Sequence, residues 1–141
     1  MTAQTVSQGR IELPYAPDVR DLIFRGFQGA ADYQNILDLI NASKGPDQID
    51  RSDTLDDIVR YYENLNNSDP YQDMLFAEVE GQTIAYGRVE WSIDEESKLL
   101  GFHIAFSHPD WRRKGIGTAM LRYLEDHLRQ ISQELLDEGV I

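Results

Sequence analysis

Apolar positions along the chain change their spacing several times, and each change predicts an element. In "DLIFRGF", residues 21–27, Leu22, Phe24 and Phe27 alternate against Arg25 in the manner of a strand. From Ala31 the period lengthens. Tyr33, Ile36, Leu37 and Ile40 recur at helical spacing, and "SKGP" at 43–46 predicts the end of that helix. A polar loop through Arg51 leads to a second helix that Ser52 or Thr54 can cap. Asp56 and Asp57 fall in its first turn, where the helix dipole favours carboxylates. Leu55, Ile58, Val59, Tyr62 and Leu65 form its apolar face, and "NNSDP" ends it.

Three β-segments follow: "DMLFAEVE", "TIAYGRVEWSI" and "KLLGFHIAFS", joined at Gly81-Gln82 and at "DEES". Turns so short and polar predict an antiparallel meander. After "HPDWRRKG", Ile116, Met120, Leu121, Leu124, Leu128, Ile131 and Leu135 trace one face of a long helix. The order is β-α-α-β-β-β-α, an α/β fold of α+β character. Residues 1–20, with Pro14 and Pro17, read as an extended arm, and residues 21–141 as one domain without internal repeats.

Charge narrows the partners. A formal net charge of −12 over 141 residues repels phosphodiester backbones and anionic lipid. The expectation is therefore no nucleic acid and no membrane, with cations, amines among them, attracted. The absence of cysteine removes disulfides, thiolate metal sites and a cysteinyl intermediate. "MTAQTVSQGR" has neither the cationic start nor the apolar run of a signal peptide, and no apolar run approaches the length of a membrane span. A cytoplasmic protein is expected.

One stretch reverses the local sign. From Trp111 through Leu124 there are four basic residues and no acidic one. Here a strand ends near Ser107, a turn follows, and a helix begins around Gly115–Gly117. The first amides of a helix have no partner inside it, and the dipole places partial positive charge on them. Glycine lets a ligand approach that backbone closely, and Arg112, Arg113 and Lys114 add formal charge. The combination describes an anion site, most plausibly for phosphate or pyrophosphate. It is neither a Walker A loop nor a Rossmann fingerprint, because GxxxxGK[ST] and the third glycine are both absent.

Arg112-Arg113-Lys114-Gly115-Ile116-Gly117 resembles the R/Q-x-x-G-x-G/A signature of the GNAT superfamily of N-acetyltransferases, and the element order resembles the first part of that fold. The resemblance runs from about residue 20 to about 133. It implies that acetyl-CoA lays its pyrophosphate on the backbone from Arg112 to Thr118, and that the pantetheine arm bonds the strand end at Phe106 and Ser107. It also implies a bulge in that strand at Gly101 or at Phe106–Ser107. The family fold continues with further strands and a helix, one of them supplying a tyrosine acid, that are not in this sequence. The chain thus reads as the N-terminal part of such a domain, either truncated or completed by a second copy through its open sheet edge.

The reaction so implied is transfer of acetyl to an amine by direct attack, with an oxyanion held by a backbone N–H near Phe106. For the base, two candidates stand on meander strands. Glu90 precedes Trp91 and also reads as an ordinary surface glutamate. His103 shares a face with Gly101, Ala105 and Ser107, and imidazole is a side chain suited to general base work. His103, His108 and His127 have no metal-ligand spacing, so no metal is expected; His108 reads as a turn residue, and Tyr33 and Tyr62 as core. The alternatives are a non-catalytic CoA-binding or structural module of a longer protein, and an unrelated nucleotide-phosphate binder.

Overall fold

A computed structural model describes residues 9–47 and 52–141. The first eight residues of the expected arm and residues 48–51 of the expected loop lie outside the described residues. The elements are β1 (Arg10–Ile11), β2 (Leu22–Arg25), α1 (Ala31–Asp47), α2 (Leu55–Glu63), α3 (Pro70–Asp73), β3 (Met74–Val79), β4 (Gln82–Ile93), β5 (Leu99–Ser107), a 3-10 turn (Pro109–Trp111) and α4 (Ile116–Asp137). The strands form one sheet in the order β1-β2-β3-β4-β5, every neighbouring pair antiparallel.

Local chemistry accounts for most of the boundaries. Thr54 caps α2 in a capping box with Asp57, each side chain accepting the other's backbone N–H. The β3–β4 turn has two left-handed residues, Glu80 at φ 51° and Gly81 at φ 81°, the handedness that matches the twist of a tight hairpin. At the β4–β5 turn the Asp94 carboxylate accepts from the amides of Glu96 and Lys98. Three boundaries differ from expectation. β1 pairs residues 10–11 of the arm with β2. Asp69 and Pro70 start the short helix α3 inside the stretch read as a loop. α1 runs on to Asp47, past the Gly45-Pro46 pair, because a proline in the last turn forgoes one hydrogen bond and leaves the preceding turns intact.

The sheet separates two cores. Leu75, Ala77, Val89, Ala119, Met120 and Leu124 pack between the sheet and α4. Ile36, Ile40, Ile58, Met74, Phe76 and Tyr86 pack on the opposite face, under α1 and α2. There Phe76, Tyr86 and Phe106, cross-strand neighbours on β3, β4 and β5, stack at 5.9 and 5.6 Å between ring centroids. The register shifts between Ala77 and Glu78, which leaves Ile84 as an extra residue on β4, so Ile84 and Ala85 both join the α4-side core. The bulge expected on β5 is not there: β4–β5 pairing is continuous from Ala85↔Ser107 to Ile93↔Leu99. Glycines on that hairpin serve packing instead. A Cβ on Gly87 would lie 2.8 Å from Leu124, and one on Gly101 3.0 Å from Leu128.

Arg25, buried on β2, is fully engaged. It bonds both Asp32 carboxylate oxygens at 2.9 and 2.7 Å, the Gly26 carbonyl at 2.9 Å, and Glu78. Burial alone would raise the Asp32 carboxyl, but hydrogen bonds from Arg25, the Gln28 amide and Asn35 outweigh it and hold the group below its ordinary 3.8.

Two outcomes are expected in urea unfolding. Gly87→Ala should destabilise the protein by about 1–3 kcal/mol, because Leu124 and α4 must shift to admit the methyl; an unchanged midpoint would contradict this packing. Asp32→Asn should destabilise at pH 7 by about 3 kcal/mol, since it strips a buried cation of one of its two carboxylate partners. Because the folded carboxyl titrates below 3.8, its contribution is complete above that pH and is lost as pH falls through the folded value. The variant should therefore lose less stability than the parent between pH 5 and pH 2.

Candidate active site

The turn after β5 is built by backbone direction. His108 N donates to the Ile84 carbonyl at 2.7 Å, and its Nδ1 accepts from Asp110 N at 3.1 Å, opening the 3-10 turn as a turn residue should. Arg113 then takes φ 65° and Gly115 φ 85°, bracketing Lys114. Alternating handedness of this kind turns successive N–H groups toward one concave side. The first α4 bond runs from Ala119 N to the Gly115 carbonyl at 3.1 Å, so the amides of Ile116, Gly117 and Thr118 precede it. Among the described residues no side chain caps this helix start, and its first turn contains no acid.

The two glycines do different things. Gly115 is needed for its left-handed backbone, and a Cβ there would lie 3.2 Å from Pro17. Gly117 is exposed, and nothing lies within 4 Å of where its Cβ would be. The cations also divide. Arg113 and Lys114 are exposed beside the turn. Arg122 covers the Tyr15 ring at 4.3 Å. Arg112 folds inward, its Nη2 donating to the Ser107 carbonyl at 3.1 Å and to Ser43 Oγ at 3.4 Å. Ile116 faces the α4-side core, so only its backbone belongs to the turn.

β5 is the last strand of the sheet, and the alternation of its hydrogen bonds decides which groups face the open edge. His108 N→Ile84 O and Asp94 N→Lys98 O mark the even-numbered pairs as the bonded ones. Phe106 is thereby directed at Tyr86, and its N–H is not the edge donor expected from the sequence. Ala105 and Ser107 carry the outward-facing backbone groups.

Beside this strand end lies a cavity of about 360 Å³ on the α1–α2 face, lined by Tyr61, Tyr62, Tyr86, Arg88, Ile104 and Phe106, with Asp53 and Asp57 at its wall. Burial pushes the Tyr62 phenol above its ordinary 10, so it remains protonated. Glu90 pairs with Phe102 and so stands on the cavity's face, its carboxylate 3.0 Å from Arg88 Nη1. His103 pairs with Val89, a residue of the α4-side core, and points to the opposite face. Glu90 therefore shares the cavity's face of the sheet, two residues beyond Arg88 along β4, and His103 stands on the other face. Arg88 and Ser43 were missed from the sequence. Arg88 had a signal, an arginine at an inward position between Tyr86 and Glu90. Ser43 had none, since it reaches Ser107 only through the packing of α1 on β5. Among the described residues no group of three or more potential ligands could hold a metal ion, and no helix is long and apolar enough to cross a membrane.

Residues 70–139 match the family described as acetyltransferase (GNAT) domain. No functionally curated protein matches the chain. Among solved structures, a GCN5-related N-acetyltransferase of Sphaerobacter thermophilus superposes with a TM-score of 0.65 at 23% identity, covering 84% of this chain and 35% of that one. A putative acetyltransferase of Salmonella typhimurium, solved with its cofactor acetyl-CoA, gives 0.61 at 24% identity over 79% of this chain and 65% of that one. A predicted acetyltransferase of Clostridium acetobutylicum, also with acetyl-CoA, gives 0.62 at 18% identity over 79% and 75%. This chain thus spans about a third of the first of these proteins and under two thirds of the second. With the fold shared and the signature turn inside the matched segment, the chain belongs, over residues 70–139, to the GNAT family of acetyltransferases.

Proposed function

We propose that this chain binds acetyl-CoA and transfers its acetyl group to an amine. The observation that carries the reading is the bare start of α4: three amides ahead of the first helical bond, no capping side chain, and open space over Gly117. A diphosphate suits that arrangement, with Arg113 and Lys114 beside it. Two proteins of the same fold hold acetyl-CoA, which supports the same cofactor here. The pantetheine arm then follows the open edge of β5, where Ala105 and Ser107 offer backbone groups.

The reaction on this reading is direct. The amine lone pair attacks the thioester carbonyl, a C–N bond forms and the C–S bond breaks. One proton of the acceptor ammonium first passes through water to Glu90, which frees that lone pair, and the nitrogen's second proton passes to the departing sulfur, so that coenzyme A leaves as the thiol. The chain contributes proximity, removal of that proton, and an edge N–H for the developing oxyanion. His103 has no part in this scheme, because the sheet separates it from the cavity.

Calorimetry with acetyl-CoA, and thiol release over a panel of amines, test the two halves of the reading. Gly117→Glu is the sharpest variant. Its Cβ meets no atom of the described residues, and its carboxylate at a helix start is favourable by about 0.3–1 kcal/mol, so the unliganded protein should melt no lower than the parent. Acetyl-CoA affinity should nevertheless fall on the order of 100-fold, about 2.8 kcal/mol. Unchanged affinity in this variant would remove the cofactor from the turn.

A further inference from the structure

Among the described residues two arginines are buried, and the fold treats them differently. Arg25 is 3% exposed, and all three of its guanidinium nitrogens donate to protein acceptors. Arg88 is 1% exposed, and its Nη2 donates to the Tyr61 hydroxyl. Among the described residues its Nε and Nη1 have no hydrogen-bond acceptor, and Glu90 stands 3.0 Å from Nη1 as an ion-pair partner only. A guanidinium cannot shed its proton to escape burial, and buried donors are rarely left unmade without a reason. Arg25 shows that this sheet can saturate an arginine. Arg88 is the one that lines the cavity, its cationic face 5.3 and 5.8 Å from the Tyr61 and Tyr62 rings.

We infer that Arg88 receives a carboxylate of the acyl acceptor, so that the amine acetylated here is a small amino acid or a similar amino-carboxylate. The inference rests on the acetyl-transfer reading above. Arg88 is two residues along β4 from Tyr86, which pairs with Phe106, a distance of about 7 Å along the strand. A carboxylate hydrogen-bonded at Arg88 leaves an amine a few bonds away directed at the Phe106–Ser107 end, where the thioester is proposed to lie. Asp53 and Asp57 on the cavity wall favour the ammonium of the same molecule. Half-exposed Tyr61 closes over the guanidinium and is the group that must swing aside to admit it.

The test is calorimetry on the full chain saturated with coenzyme A, using each common amino acid and its carboxamide as a matched pair. At least one amino acid should bind, and its carboxamide should bind on the order of 100-fold more weakly, because the amide leaves a buried guanidinium without an anion. Arg88→Met should abolish that discrimination while binding acetyl-CoA as the parent does. Should that variant not fold, the matched pairs on the parent protein decide alone. Equal binding of acids and carboxamides, or binding of neither while acetyl-CoA binds, overturns the inference. Failure of acetyl-CoA itself to bind is a separate result, and it overturns the transfer reading first.

Discussion

The seat of α4 on the sheet is the contact on which the rest depends. Leu124 fits against Gly87 so closely that a Cβ there would lie 2.8 Å away, and Leu128 against Gly101, where a Cβ would lie 3.0 Å away. This close approach fixes the axis of a 22-residue helix relative to β4 and β5. It therefore fixes where the first three amides of that helix stand relative to the end of β5. A helix start is electropositive wherever it is placed. It becomes a useful place for a diphosphate only if a strand end lies within reach, and here the glycines on the sheet provide that, not the glycines in the turn.

The sheet assigns its two faces different work. One carries the packing of α4, and its inward residues are apolar and small. The other carries an aromatic row from Phe76 through Tyr86 to Phe106, and beside it a cavity with a buried cation. The two functions meet at Phe106–Ser107. Phe106 completes the aromatic row, while the Ser107 carbonyl is held from outside by Arg112 and by Ser43 on α1. Arg112, expected to meet the anion directly, works here as a brace that ties the turn to the strand end. Arg113 and Lys114 remain beside the turn with their charge exposed.

Buried charge divides along the same line. The Arg25–Asp32–Glu78 group is saturated and holds β2, β3 and the start of α1 together. Removing Arg25 would leave two carboxylates without their cation, whereas removing one carboxylate leaves the guanidinium with the other. Arg88 is held more loosely, by one phenol and one partly exposed carboxylate. Both arginines occupy strand positions whose neighbours are apolar, and nothing in their local sequence distinguishes the saturated one from the other.

How much was legible follows from how local each feature is. The strands of the meander, the Thr54 cap, the long helix and the glycine-spaced turn all arise from contiguous residues. The hydrogen bonds of the cap, the helix and the turn close within a few positions, and the strands, whose ladders join residues as distant as Ala85 and Ser107, are marked by alternation and short turns, so spacing and residue type suffice. The end of α1 was misread because a late proline removes a single bond. The bulge was misplaced because the extra residue, Ile84, looks like any other apolar position in its strand. The orphaned amides at Ile116–Thr118 were determined by the sequence alone, since a helix start lacks partners whatever packs around it. Only the tertiary structure decided that Glu90 shares the cavity's face of the sheet and His103 does not, that Ala105 and Ser107 rather than Phe106 look out from the edge, and that Arg88 Nε and Nη1 lack hydrogen-bond acceptors among the described residues. Those outcomes depend on the parity of pairing between strands and on which helix covers which face, and parity is set by contacts between residues far apart in the chain.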